Sequence, residues 1–195
     1  MIAVVDYGAG NLASVKKALQ HLGAFAQVTA DPAVISAAAK IIVPGVGHFN
    51  RCESLNRLLR QPVLGAIAQG KPFLGICVGM QWLFQGSTEA PETPGAGVFA
   101  AQCSRFPALV KSPHVGWNRI EVGKASRLFK GVESGAFVYY THSYRAPVVS
   151  ETAAYTQYGG PFSAGVERGN VFGVQFHPEK SARAGMKILE NFCAL

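Results

Sequence analysis

A chain of 195 residues with 49% hydrophobic and 15% charged side chains and a mean hydropathy of +0.18 can bury about 70% of its extended surface in one core, which excludes a disordered polymer. No stretch reaches the ~20 apolar residues of a membrane span, and the 22 glycines follow no three-residue period, so membrane-spanning and collagen-like chains are excluded too. Of the net charge of +7, residues 105–130 hold +5 (Arg105, Lys111, Arg119, Lys124, Arg127 and Lys130 against Glu121), without the recognition-helix or RNP-type aromatic pattern of a nucleic-acid binder.

The first six residues, MIAVVD, form a continuous apolar run ending in an acid, as in strands buried on both faces. They carry no basic segment and no extended apolar region of a cleavable signal, so a cytoplasmic location is expected. Helix spacing follows over 11–22, with Asn11 as N-cap, a stripe of Leu12, Val15, Leu19 and Leu22, and Gly23 as the stop. The alternation repeats: strand 24–29, Asp31-Pro32 opening a short helix, strand 40–45 (KIIVPG), one helical stretch over about 49–69, and strand 72–77 (PFLGIC). Repeated βα units predict a mostly parallel sheet with helices on both faces. Residues 87–97 read as a loop. Beyond about residue 86, the β-prone runs GVFAAQC, FVYYTHSY, AAYTQY, PFSAGVE and NVFGVQF predict antiparallel strands added to that sheet, and a helix from about Ser181 to Phe192 closes the chain. Nothing divides residues 1–195 into more than one domain.

Two segments carry chemistry. In GICVG, residues 75–79, an apolar strand runs straight into a helix with Cys77 at the turn, the cysteine form of a nucleophile elbow. Glycines two residues either side remove side chains that would clash, and the helix start offers N–H groups that favour a thiolate and can hold an oxyanion. In HPEKS, His177 ends a β-prone run, Pro178 pushes it toward extended geometry, and Glu179 then falls on the same face, able to orient the imidazole. A third element, PGVGHF at 44–49, has Gly45 and Gly47 to turn backbone N–H groups into the same sheet edge. Cys52, Cys103 and Cys193 lack such a context, and no C-x-x-C or His spacing suggests a disulfide framework or a metal site.

Taken with DYGAGN (6–11), PHVGWN (113–118) and THSY (141–144), these motifs resemble, over nearly the whole chain, the class I triad-type glutamine amidotransferases, and among them the glutaminase subunits of imidazole glycerol phosphate synthase. The resemblance implies a flavodoxin-like α/β fold without cofactor. Cys77 would be nucleophile, His177 base and acid, and Glu179 the orienting carboxylate. The N–H groups of Val46 and Val78 would form the oxyanion hole, while Gln81, Gly47 and the backbone at His142 and Ser143 would hold L-glutamine. His114, Trp117, Asn118, Tyr139 and Lys180 would face a (β/α)₈-barrel cyclase as the other half of a heterodimer. Read without a partner, PHVGWN is equally a tight turn around a core tryptophan. The same site could serve a free-standing cysteine amidase or γ-glutamyl hydrolase, or be a degenerate site in a regulatory subunit.

Overall fold

The apolar runs at 2–5, 41–45 and 73–77 become strands buried on both faces, whereas the edge strand at 26–29 leaves Gln27 exposed. In the computed structural model, which describes residues 1–123 and 125–195, the chain runs through β1 (Ile2–Val5), α1 (Leu12–His21), β2 (Ala26–Thr29), α2 (Pro32–Ala37), β3 (Lys40–Gly45), α3 (Cys52–Leu58), α4 (Arg60–Ala68), β4 (Phe73–Cys77) and α5 (Val78–Trp82). It continues through β5 (Ser104–Arg105), β6 (His114–Arg119), β7 (Glu121–Val122), β8 (Phe137–His142), β9 (Tyr144–Arg145), β10 (Thr152–Gln157), β11 (Pro161–Arg168), β12 (Val171–Val174) and α6 (Ala182–Ala194). Lys124, one member of the basic stretch, lies outside the described residues.

The main sheet has the order β2, β1, β3, β4, β12, β11, β10, β7. Its first five strands are parallel and the last three antiparallel. β1, β4 and β12 are buried along their whole length, and each fully buried Val, Ile or Leu contributes about 1.5–3 kcal/mol. α1 packs on α6, and α2 on α4. Parallel strands direct their carboxyl ends to one edge, where folds of this kind bind ligands.

Four expectations are corrected. The helical stretch 49–69 is a 3₁₀ turn (Phe49–Arg51) followed by α3 and α4, broken at Leu59, because Pro62 has no N–H for the carbonyl of Leu58 and its ring crowds that carbonyl. GVFAAQC forms no strand beyond a single bridge at Cys103. Its backbone is instead spent on the end of the elbow helix, with Phe99 N–H bonding Leu83 O and Gly97 N–H bonding Phe84 O. NVFGVQF is antiparallel only to β11, since its other neighbour, β4, is parallel to it. Asn11 occupies the N-cap position of α1 but makes no capping bond, its side chain being engaged elsewhere.

Candidate active site

Cys77 ends β4 at φ 55°, ψ −109°, a conformation that costs a residue with a side chain about 1–3 kcal/mol. The flanking glycines are what let this turn close. A Cβ on Gly79 would lie 1.9 Å from the Val43 carbonyl oxygen, and one on Gly75 would lie 2.4 Å from that of Gly79. The register sets Gly45 of β3 opposite Cys77 and Val174 of β12 opposite Ile76. Val46 and Gln175, the residues that follow on those two strands, therefore flank Cys77 from either side. Gln175 Nε2 donates to Cys77 Sγ at 3.7 Å.

His177 follows two residues later, extended at φ −96°, ψ 98°. Glu179 does not share that extended run as the sequence suggests. The fixed φ of Pro178 suits the first position of a helical turn, and Pro178–Lys180 is a 3₁₀ turn closed by the Lys180 N–H on the His177 carbonyl, 3.0 Å. The turn folds the carboxylate back, so that His177 Nδ1 and Glu179 Oε1 are 2.9 Å apart with both side chains buried. The same Oε1 accepts from Asn11 Nδ2 at 3.2 Å, which is where the expected capping group goes. Burial opposes charge on His177, but the neighbouring Cys77 and Glu179 outweigh it and raise the imidazole to about 10. Nε2 faces Cys77 without a fully formed hydrogen bond, and Glu179 Oε2 is buried unpartnered.

A cavity of about 300 Å³ opens over the elbow, lined by Val46, Gly47, Cys77, Val78, Gln81, His142 and Ser143. Glu89, Pro113, Thr141 and Tyr144 complete it. Glu89 belongs to a segment whose Pro and Gly content signals only a loop; its Oε2 accepts the Phe49 N–H at 2.8 Å, which fixes a carboxylate at the cavity wall. Gln175 is equally unmarked in the sequence, being one polar letter in an apolar strand. A wider groove of about 780 Å³ lies between α6 and residues 131–137, beside Trp117 and away from Cys77. Cys52, whose thiol burial pushes up to about 12, and the fully buried Cys103 are far from a reactive state. Among the described residues no His, Cys, Asp and Glu side chains cluster as metal ligands would.

PHVGWN is a strand and not a turn around a core tryptophan. β6 pairs antiparallel with β8, Trp117 opposite Tyr139, and Trp117 is 52% exposed. Strand alternation places Val115 and Trp117 of β6 and Phe137 of β8 on one solvent-facing surface. The Lys180 ammonium sits 5.8 Å over the Tyr139 ring. His114 has the opposite phase. It is 5% exposed, stacked on Tyr140 and Tyr158 and 3.1 Å from His142, so its side chain cannot itself be on the outer face. The ribbon is bonded to His177: His177 N–H donates to the Tyr139 carbonyl at 3.0 Å, and Tyr139 N–H donates to Ser181 Oγ, whose hydroxyl donates to the His177 carbonyl.

A cysteine elbow, an adjacent His-Glu pair and a sheet-edge cavity on this fold define a triad-type amidotransferase, and the chain belongs to the class-I glutamine amidotransferase family, whose model matches residues 3–195. Solved structures of the same fold include one described as a glutamine amidotransferase (TM-score 0.78, 20% identity, all of both chains) and PurLQS from Thermotoga maritima (TM-score 0.77, 20% identity, 98% of this chain and 96% of that one). Within the family the chain is similar to imidazole glycerol phosphate synthase subunit HisH. It is 47% identical to that of Thermococcus kodakarensis over 98% of both chains, and 43% identical to that of Salinibacter ruber over 100% of this chain and 94% of the other.

Proposed function

We propose that this chain is the glutaminase subunit of imidazole glycerol phosphate synthase, releasing ammonia from L-glutamine for a cytoplasmic (β/α)₈-barrel cyclase that forms imidazole glycerol phosphate and aminoimidazole carboxamide ribotide in histidine biosynthesis. The observation that carries the reading is a small cavity lined by Cys77 and a fixed carboxylate, Glu89, with the buried His177–Glu179 pair next to Cys77 behind it. No helix among the described residues is long and apolar enough to cross a membrane.

The chemistry follows from these groups. Cys77 gives its thiol proton to His177 Nε2 and its Sγ attacks the side-chain carboxamide carbon of glutamine, while the N–H groups of Val78 and Val46 hold the resulting oxyanion. The proton on His177 Nε2 passes to the leaving nitrogen, ammonia departs, and a γ-glutamyl thioester remains on Cys77. Water then gives a proton to Nε2 and attacks the thioester carbon, and glutamate leaves as the sulfur is restored. At the other end of the substrate, Glu89 offers a carboxylate to the α-ammonium, with Gly47 and the backbone at His142 and Ser143 beside it. Gln81 has spent its Nε2 on the Tyr144 carbonyl, 2.8 Å, and on Gln175 Oε1, 3.1 Å, so it offers the ligand its own carbonyl.

The cyclase would dock on Trp117, Tyr139 and Lys180, whose ribbon is bonded to His177 through backbone. Asn118 lies on the inward phase of β6 and bonds His114, so both act behind this face and not on it. In the basic stretch Arg127 is already engaged by Glu167 at 3.2 Å, leaving Arg105, Arg119 and their neighbours to meet an acidic rim. Glutamine hydrolysis by the chain alone, compared with the chain plus its cyclase, tests the reading. The expected result is a clear rise in turnover in the complex; equal turnover with and without the cyclase would instead identify a free-standing amidase, and none in either case a regulatory subunit.

A further inference from the structure

A run of polar side chains forms one connected path from the docking ribbon to the nucleophile. It begins at Asn118 on β6, whose side-chain Nδ2 lies 3.3 Å from His114 Nε2. An amide nitrogen only donates, so His114 Nε2 is an acceptor, and the neutral ring carries its proton on Nδ1. Neutrality is what the surroundings favour, since burial among Phe106, Tyr140, Tyr158 and Phe162 lowers His114 to about 4. His114 Nδ1 therefore donates to His142 Nε2 at 3.1 Å, and His142, protonated on Nδ1, donates to the Tyr144 carbonyl at 2.9 Å. That carbonyl also receives Gln81 Nε2, whose second hydrogen goes to Gln175 Oε1.

The last link is the consequential one. With Oε1 of Gln175 turned to Gln81, its Nε2 has to face the other way, and it points to Cys77 Sγ. Reversing the Gln175 amide would set two N–H₂ groups against each other in a site closed to solvent, because Gln175 is completely buried and Gln81 nearly so. We propose that Gln175 is a further catalytic residue, an N–H donor locked onto the Cys77 sulfur, that Gln81 on α5 is the positioning residue that fixes its orientation, and that His114, on the strand that carries the docking surface, is a positioning residue that holds the shared Tyr144 carbonyl in place through His142. The donor holds the sulfur at the elbow, next to His177, and solvates the charge on it as it attacks or leaves. Partner binding on Trp117 and Tyr139 thereby has two bonded routes to the reacting atoms: the Tyr139 backbone to the base, and the path through His114 to the nucleophile. The coupling to a partner rests on the glutaminase reading above; the donor to Cys77 does not.

Two readouts on the full chain separate these. The first is the rate at which iodoacetamide alkylates Cys77, followed by mass spectrometry of its peptide, which needs neither glutamine nor a partner. Gln175→Met, which keeps length and burial but removes the donor, is expected to slow it about tenfold or more, the scale of losing a hydrogen bond to a charged group. The second is glutamine turnover by the complex, where His114→Phe keeps the ring stacking and loses the donor, while His114→Asn restores an N–H near the position of Nδ1. Phe is expected to lower kcat about tenfold with KM within about threefold, and Asn to recover most of the loss. Unchanged alkylation in Gln175→Met, with the variant's thermal unfolding near wild type, overturns the donor role. Equal losses in the Phe and Asn variants, or none in either, overturn the path. The expected alkylation effect in a complex that hydrolyses no glutamine would count against the glutaminase reading and leave the donor standing.

Discussion

Cys77→Ala is expected to abolish glutamine-dependent synthesis by the complex while ammonia-dependent synthesis continues at the wild-type rate. Alanine removes the sulfur assigned to the thioester, and with it the acceptor of one Gln175 N–H, but keeps the turn: the side chain becomes smaller at a strained φ, and the glycines around it still let the turn close. Ammonia supplied from solution bypasses the glutaminase altogether, so the partner's step reports on whether the complex is intact. Loss of both activities with complex formation unchanged would show that Cys77 has a structural task in the partner's reaction and not the role assigned to it.

Glu179→Gln is expected to lower glutamine turnover by up to about 10⁴, the scale of the corresponding change in a serine triad. The shape is kept, but a neutral amide does not stabilise the imidazolium, and it can turn an N–H₂ toward Nδ1 and toward Asn11 Nδ2, both donors in the native arrangement. A loss below about threefold, with chemistry rate-limiting, would remove Glu179 from the triad. The same variant has a signature in stability. Because Cys77 and Glu179 raise His177 above its ordinary 6.5, to about 10, the charged imidazole contributes in full below pH 6.5, and that contribution is lost as pH climbs toward 10. The difference in Tm between wild type and variant should therefore be largest at mildly acidic pH and shrink on the alkaline side, a trend that thermal melts across that range will read directly.

How far the sequence reaches is decided by what kind of signal each residue leaves. The parallel strands are legible because a strand covered on both faces has to be apolar throughout, as at 2–5 and 73–77. The elbow is legible because only glycine fits at 75 and 79. Glu179 is found by proximity to His177, though for the wrong backbone geometry, since a proline both restricts its predecessor and starts a helical turn, and sequence does not say which effect governs. Asn11 reads as a helix cap because Asn at that position usually is one; its bond to Glu179 spans 168 residues, and no local pattern records it. Gln175 and Glu89 escape notice for the same reason: their partners, Cys77 and Phe49, are brought near only by the sheet register and a returning loop. The motif places His114 on the outer face, whereas the phase of β6, which decides inward from outward, depends on where the strand starts.

The central claim is that glutamine is cleaved through a covalent bond to Cys77, and acid quenching of the complex during turnover tests it most directly. Mass spectrometry of the digested chain should then find the mass of a γ-glutamyl group on the peptide containing Cys77, accumulating before the steady state and absent from peptides with Cys52, Cys103 or Cys193. Glutamate formation at full rate with that peptide unmodified at every time point, or with the added mass on another cysteine, would contradict the account.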